Sequence, residues 1–282
     1  MSLSRRPEWL QKKISPASHR DMDQLLEDLR LHTVCREAHC PNISECYGNN
    51  QATFLILGTL CTRLCSFCNV TKRVPLPADP GEPRRVAEAI RKLQLRHVVI
   101  TSPTRDDLAD GGAGLYAETV HEIRNVAPGT TVELLIPDFQ GSRESLATVV
   151  SSRPDILGHN LETVPRLYSI REGAEYRRSL QVLRLIGELD SAVRSKSGLM
   201  LGMGEREEEV VEVFADLLAA GCSYLSIGQY LAPSKRHYTV QEYLPPEIFD
   251  RYREQALAMG FRHVESGPYV RSSYLAERYG RE

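Results

Sequence analysis

Apolar positions along the chain follow two alternating rhythms. Short β-branched and aliphatic runs at 53–57, 97–101, 131–136, 155–159, 198–203 and 223–228 read as buried strands. Between them apolar residues return every three or four positions: Val86, Ile90 and Leu93; Tyr116, Val120 and Ile123; Leu183, Ile186 and Leu189; then Val210, Phe214, Leu217 and Leu218. That is the period of a helix burying one face. Glu205, Glu207, Glu208 and Glu209 fall in the first turn of the last helix, where the helix dipole favours carboxylates. Alternating strands and helices imply βαβ units and a parallel sheet. Six units close only part of a barrel. The expected fold class is therefore α/β: a partial (βα)6 TIM-like barrel over 53–230, with extensions 1–52 and 231–282 packed on it. Helices are expected at 22–31, from Leu25, Leu26 and Leu29, and near 246–259. Catalytic groups of such a barrel sit on loops leaving the C-terminal strand ends.

Composition removes several function classes. The 282 residues carry 35 Lys and Arg against 37 Asp and Glu, a net charge of -2. With a pI of about 6.5, the chain lacks the basic excess of a general nucleic-acid binder, whose domains usually exceed a pI of about 9. Its 41% hydrophobic share suits a folded core rather than a disordered chain. No apolar run approaches the roughly 18 residues needed to cross a membrane. The opening stretch MSLSRRPEWLQKK shows no apolar core of a secretory signal, so a cytoplasmic location is expected.

Six of the seven cysteines crowd between positions 35 and 68, as Cys35-x4-Cys40-x5-Cys46 and Cys61-x3-Cys65-x2-Cys68; Cys222 stands alone. A disulfide framework belongs to small secreted domains, which this chain does not resemble. Zinc favours paired C-x2-C knuckles. Only Cys65 and Cys68 make one, although His32 and His39 keep a mixed site open. Iron–sulfur ligation suits two groups of three thiolates, each one short of the usual four. A missing protein ligand leaves one iron free to bind something else, as catalytic metal sites keep a position open.

The segment Cys61-Thr-Arg-Leu-Cys65-Ser-Phe67-Cys68 resembles the C-x3-C-x-φ-C signature of radical S-adenosylmethionine (SAM) enzymes, where φ is aromatic. Joined to the upstream CREAHCPNISEC, it is similar to the lipoyl synthase family. The likeness extends through Pro7-Glu8-Trp9-Leu10, DDLADGGA at 106–113, LIPDF at 135–139, HNLETV at 159–164, YRRSL at 176–180, KSGLMLGMGE at 196–205 and GPYVRSSY at 267–274. Departures are Pro103-Thr104 where the family usually has Val-Asp, Tyr47 in place of Trp, Arg36 in place of Glu, and a loose match over 71–83. None removes an expected ligand, and a paralogue with shifted substrate preference stays open.

The resemblance implies two [4Fe–4S] clusters and SAM as cofactors. Cys61, Cys65 and Cys68 would hold the cluster that binds SAM, with Phe67 near the adenine or simply packed in the core. Gly111 and Gly112 would lie beside the SAM methionine, although a plain turn explains such a pair equally. Asn160 and Glu162 would hydrogen-bond ribose or methionine, and Lys196 and Arg177 would bind a carboxylate or position substrate. Cys35, Cys40 and Cys46 would hold the auxiliary cluster in the N-terminal extension. Its fourth ligand would be a serine of the C-terminal RSSY block, Ser272 or Ser273, with Ser273 preferred. Cys222 reads as a buried small residue. The implied reaction inserts sulfur at C6 and C8 of a protein-bound octanoyl-lysine, with the auxiliary cluster as sacrificial donor. Implied partners are octanoylated lipoyl carrier domains (2-oxoacid dehydrogenase E2 subunits and the glycine cleavage H protein), an electron carrier such as ferredoxin or flavodoxin, and iron–sulfur assembly or repair proteins. Neither nucleic acid nor membrane is expected as a partner. Lys235-Arg236-His237 offers a docking site for an acidic carrier, beside the plainer reading of a solvated loop.

Overall fold

An eight-stranded sheet runs through the computed structural model, which describes residues 6–12 and 19–279. In chain order the strands are β1 (His32–Thr33), β2 (Thr53–Leu55), a separate small pair β3 (Leu60–Cys61) and β4 (Thr71–Lys72), then β5 (His97–Thr101), β6 (Thr131–Leu135), β7 (Ile156–Gly158), β8 (Arg194–Leu201), β9 (Tyr224–Gln229) and β10 (His263–Gly267). The sheet order is β1-β2-β5-β6-β7-β8-β9-β10, and every pairing is parallel except β1 with β2. The six expected strands thus lie side by side in sequence order. This is a partial (βα)6 barrel; among the described residues no pairing joins β10 to β1.

Helices α1 (Arg20–Asp28), α2 (Val34–Glu37) and α3 (Ile43–Gly48) precede the barrel. Then α4 (Glu82–Leu93), α5 (Ala113–Val126), α6 (Arg143–Ser151), α7 (Tyr176–Leu189) and α8 (Glu207–Ala219) alternate with the strands, and α9 (Pro246–Met259) precedes β10. Their buried faces follow the three-to-four spacing: Val86 and Ile90 on α4, Tyr116, Val120 and Ile123 on α5, Val210, Phe214 and Leu217 on α8. These pack on strand residues such as Ile100, Leu134, Leu157, Leu225 and Ile227 in one continuous core.

Three differences from the sequence expectation have physical causes. β8 begins four residues before the expected 198, because Ser195, Lys196 and Ser197 are polar yet buried. The Ser195 hydroxyl donates to the Gly221 carbonyl at 2.7 Å and the Ser197 hydroxyl to the His159 carbonyl at 2.9 Å, so burial costs them little. β10 is too short and polar to announce itself, and it extends the sheet with chain from beyond residue 230. Glu205 lies ahead of α8 rather than in its first turn. Its carboxylate accepts from the backbone N–H groups of Gly202 and Met203, both at 2.9 Å, while Glu209 accepts from the Arg206 N–H at 2.8 Å as the helix cap.

Candidate functional site

The two cysteine groups lie toward opposite ends of β2. Past its C-terminal end Leu57 turns the chain at φ 66°, its N–H held by the Glu82 carboxylate at 2.7 Å. The loop that follows carries Cys61 on β3, then Cys65 and Cys68. The segments that follow β5 and β7 grip it: the Thr62 N–H donates to the Thr104 carbonyl at 3.1 Å, and the Ser66 N–H to the Ile170 carbonyl at 2.9 Å. Inside the loop Arg63 is buried and forks onto two carboxylates, Asp106 at 2.8 and 3.0 Å and Asp138 at 2.5 and 2.9 Å. Asp138 takes a further bond from Arg178 Nε at 2.8 Å. Burial opposes ionisation of Asp138, but the two guanidiniums hold its carboxyl well below the usual range. Burial raises the Cys65 thiol and pushes Cys68 up to about 11, with neighbouring cysteines adding to both.

Around this loop, Arg171 donates to the carbonyls of Asn160 and Leu161, both at 3.0 Å, and to the Tyr168 hydroxyl. Its Nε is buried without a partner. Glu162 is held at φ 69°, a conformation costing about 1–2 kcal/mol outside glycine. Its backbone accounts for this by bridging β8: its N–H donates to the Gly198 carbonyl at 2.9 Å, and its carbonyl accepts from Met200 at 2.8 Å. Burial raises the Glu162 carboxyl, against the pull of Arg171. Asn160 Nδ2 donates to Glu162 Oε1 at 3.0 Å and to Ser272 Oγ at 2.6 Å.

The remaining residues singled out in the sequence take varied places. Phe67 packs half-buried against the Ile170, Met203 and Tyr230 cluster. Gly112 has φ 90° and caps the start of α5; a Cβ there would meet Leu57 Cδ1 at 2.3 Å, and one on Gly111 would meet Phe139 at 2.8 Å. Close packing alone therefore requires both glycines. Arg177 is exposed on α7, bordering surface grooves with Leu180, Gln181 and Arg184; its neighbour Arg178 makes the inward contacts. Lys196 does bind a carboxylate, but one of the chain's own. Its Nζ reaches Glu133 Oε1 and the Ser272 carbonyl, both at 2.7 Å, and lies 3.7 Å from the centre of the Tyr279 ring. Lys235 and Arg236 are exposed. Cys222 is buried in the core, its thiol pushed up to about 12 by that burial.

The second group surrounds a cavity at the start of β2. Cys35, Cys40 and Cys46 line it with Thr53, His97, Arg271, Ser273 and Tyr274. Thr53 and His97 are the first residues of β2 and β5, so this wall is made by strand beginnings. Ser273 Oγ accepts a 2.7 Å hydrogen bond from Thr53 Oγ1, whereas Ser272 is turned to Asn160. The Tyr274 hydroxyl donates to Glu45 at 2.9 Å, tying the C-terminal segment to the helix that carries Cys46. Tyr47, in the position where Trp was expected, donates or accepts at 2.7 Å with Thr33 Oγ1, a bond its hydroxyl supplies. Burial pushes Cys35 up to about 11 and Cys46 up to about 12, each reinforced by the other cysteines of the group. Desolvation disfavours ionisation of Cys35 and Cys46, and a metal cluster supplies the compensating positive charge that deprotonates such ligands. The donor sets of both groups fit iron–sulfur clusters, and the orphaned Arg171 Nε fits an anionic ligand beside the Cys61–Cys68 loop.

A partial parallel barrel with a C-x3-C-x2-C loop after its first barrel strand defines a radical SAM enzyme. Residues 55–217 match the Radical SAM superfamily. Among solved structures, Streptococcus suis SuiB bound to precursor peptide SuiA superposes with a TM-score of 0.60 at 10% identity, over 95% of this chain and 58% of that one. Methylornithine synthase (PylB) superposes at 0.57 and 14% identity, over 86% of this chain and 81% of that one. At such identities the likeness is one of fold. Curated relatives are much nearer: the lipoyl synthase of Geotalea uraniireducens is 71% identical over 280 residues, 99% of either chain. That of Geobacter metallireducens is 72% identical over 279 residues, again 99% of each, and that of Caldicellulosiruptor saccharolyticus 52% over 279, 98% of each. The chain belongs to the lipoyl synthase family, and is an enzyme of the radical SAM kind, using SAM and a [4Fe–4S] cluster. No helix of the described residues is long and apolar enough to cross a membrane.

The sequence did not single out Arg63, Asp106, Asp138, Arg171 or Arg178. Isolated charges carry no periodicity; the quoted blocks contained Arg63, Asp106, Asp138 and Arg178 without marking their roles, and Arg171 lay in none of them.

Proposed function

We propose that this lipoyl synthase inserts one sulfur atom at each of C6 and C8 of an octanoyl chain amide-linked to a carrier lysine. The sulfur comes from an auxiliary [4Fe–4S] cluster consumed as a substrate. The single observation that carries this reading is the convergence of Cys35, Cys40, Cys46 and Ser273 on one cavity, from positions more than two hundred residues apart. Three thiolates and one hydroxyl make a lopsided donor set. The hard oxygen grips soft iron less well than sulfur does, so Ser273 is the ligand suited to leave as the cluster is dismantled.

Cys61, Cys65 and Cys68 hold the other cluster, leaving one iron for SAM. When bound, SAM and this cluster supply a carbon radical able to take hydrogen from an unactivated C–H bond, which no acid or base ionises at a useful rate. The chain's own residues bind and orient. Arg171, through its unpaired Nε, faces the carboxylate end of SAM, a role better suited to it than to exposed Arg177. Asn160 Oδ1 and the Glu162 carboxylate would accept from the polar atoms of SAM, the Gly111–Gly112 turn would offer it backbone groups, and Phe67 would cover the adenine. The Arg63–Asp138–Arg178 lattice keeps the loop in one geometry, the condition for two successive hydrogen abstractions at chosen carbons. Carriers of the substrate are 2-oxoacid dehydrogenase E2 subunits and the glycine cleavage H protein, docking near exposed Lys235 and Arg236. Ferredoxin or flavodoxin supplies electrons, and assembly or repair proteins rebuild the auxiliary cluster in the cytoplasm.

Two measurements test this. Anaerobic reconstitution should load about eight irons and eight sulfides per chain, two cubanes. With SAM, reductant and an octanoyl-lysyl peptide, the peptide should gain two sulfurs in place of two hydrogens. SAM cleavage with both clusters intact and no sulfur in the peptide would sink the proposal.

A further inference from the structure

Ser273 lines the cavity with Cys35, Cys40 and Cys46, and a side chain of its kind has three staggered positions to choose among. Its backbone is fixed from both sides. The preceding residue, Ser272, is held at its carbonyl by Lys196 Nζ at 2.7 Å and at its hydroxyl by Asn160 at 2.6 Å. The following residue, Tyr274, is held by Glu45 at 2.9 Å. These contacts set where the Ser273 Cα lies but leave its hydroxyl free to turn. What fixes the hydroxyl is Thr53, buried at the first position of β2, whose Oγ1 donates to Ser273 Oγ at 2.7 Å. The same threonine lines the cavity together with Cys35. A hydroxyl has one proton to give. That proton goes to Ser273, so one residue of the rigid sheet, lining the same cavity as the cysteines of the N-terminal extension, holds the serine of the C-terminal one.

We propose that Thr53 is the positioning residue of the auxiliary site: it sets the Ser273 hydroxyl toward the cavity shared with Cys35, Cys40 and Cys46, and so decides how long the fourth iron is retained. The inference rests on the reading of Ser273 as a ligand. It is independent of the SAM site. The isosteric variant Thr53→Val keeps the backbone N–H and the volume but removes the donor, whereas Thr53→Ser restores the donor. A net hydrogen bond of ordinary strength corresponds to roughly a five- to tenfold bias among rotamers.

The test uses the full chain carrying Cys61→Ala, Cys65→Ala and Cys68→Ala, so that any iron–sulfur chromophore belongs to the auxiliary site. After anaerobic reconstitution, iron release to a ferrous chelator is timed by loss of the cluster absorbance. Thr53→Val should release iron about five- to tenfold faster than the parent, Thr53→Ser within about twofold of it, and Thr53→Val should add nothing once Ser273→Ala is present. Release from Thr53→Val at the parental rate, with Ser273→Ala fast, overturns the positioning role and leaves the ligand reading standing. Parental release from Ser273→Ala overturns both. Equal acceleration by Thr53→Val with or without Ser273 also overturns the proposal, because Thr53 would then act by some other route.

Discussion

The two cysteine groups are built on opposite plans. Cys61, Cys65 and Cys68 occupy one short loop after β2, and the barrel's task is to stiffen it from outside with a lattice of charges, Arg63 between Asp106 and Asp138 with Arg178 behind. Cys35, Cys40, Cys46 and Ser273 come instead from both extensions and meet at the beginnings of β2 and β5. There the stiffening is a set of neutral or single-contact bonds: Thr53 to Ser273, Asn160 and Lys196 to Ser272, Tyr274 to Glu45. The difference matches the demands that the proposed reaction would place on each. A cluster that must return unchanged after every SAM molecule benefits from a rigid, charge-locked loop. A cluster that gives up its sulfur benefits from a wall able to open without breaking a buried ion pair, since breaking one costs several kcal/mol.

The sharpest way to break this comparison is to remove one thiol from each group. Cys68→Ala should abolish SAM cleavage, and Cys46→Ala should leave SAM cleavage while abolishing sulfur insertion; in each, bound iron should fall from about eight to about four. Equal damage to both reactions from Cys46→Ala would mean that the groups do not divide the work. A smaller but still large effect is expected from Arg63→Ala, which leaves buried Asp138 with only Arg178 and half-exposed Asp106 without its fork. It should lower unfolding stability by about 3 kcal/mol, and it should speed iron loss from the Cys61 loop while auxiliary iron stays put. Element-specific iron release, followed in Cys46→Ala and Cys68→Ala backgrounds, reads out which cluster suffers.

Acid should separate the sites as well. His159 ends the β7 segment next to Asn160, buried between the Ile136 carbonyl at 2.9 Å and the Ser179 hydroxyl at 3.0 Å. Burial pulls its pKa down from 6.5 to about 4, and the nearby Arg171 charge adds to the fall. Above pH 6.5 neither folded nor unfolded chain binds this proton, so its contribution to stability is complete. Below that, the unfolded chain takes up a proton that the folded chain refuses, and stability falls until the folded pKa is reached. Between pH 7.5 and 5.5 the loss from this group should be ~1.4 kcal/mol. His159→Gln, which keeps hydrogen-bonding capacity without titrating, should flatten that slope in denaturant unfolding; an unchanged slope would assign the effect elsewhere.

How much of this was legible beforehand depended on how local the signal was. The six barrel strands and four of the helices between them were readable because burying one face imposes a period that survives in a single chain, whereas the nine-residue α6 was not picked out. The cysteines were readable from spacing alone. What stayed hidden was long-range and polar. Lys196 sits in a stretch, Arg194-Ser195-Lys196-Ser197, that looks like a loop, because its partners Glu133 and Ser272 lie 63 and 76 residues away. β1 was missed because two residues give no pattern to count, and β10 because His263–Gly267 holds a single apolar residue, Val264. The choice between Ser272 and Ser273 could not come from their neighbours in sequence. The preference for Ser273 came from the family resemblance, and the bond it receives from Thr53, 220 residues upstream, has no trace in the local sequence.

The adjacent pair Arg177 and Arg178 carries the smallest expected effect and the finest discrimination. Both lie in YRRSL, on consecutive positions of α7, and a helix turns successive side chains about 100° apart. One must therefore face away from whatever the other touches. Arg178 reaches Asp138 at 2.8 Å and the Gly173 carbonyl at 2.6 Å, whereas Arg177 is exposed. Arg178→Ala removes one of two cations from a buried carboxylate and should cost about 1–2 kcal/mol, with a matching rise in iron loss from the Cys61 loop. Arg177→Ala should change stability by no more than about 0.5 kcal/mol and leave the KM for SAM unaltered. A raised KM for SAM in Arg177→Ala, with stability intact, would instead bring the exposed arginine to the SAM carboxylate and displace Arg171 from that role.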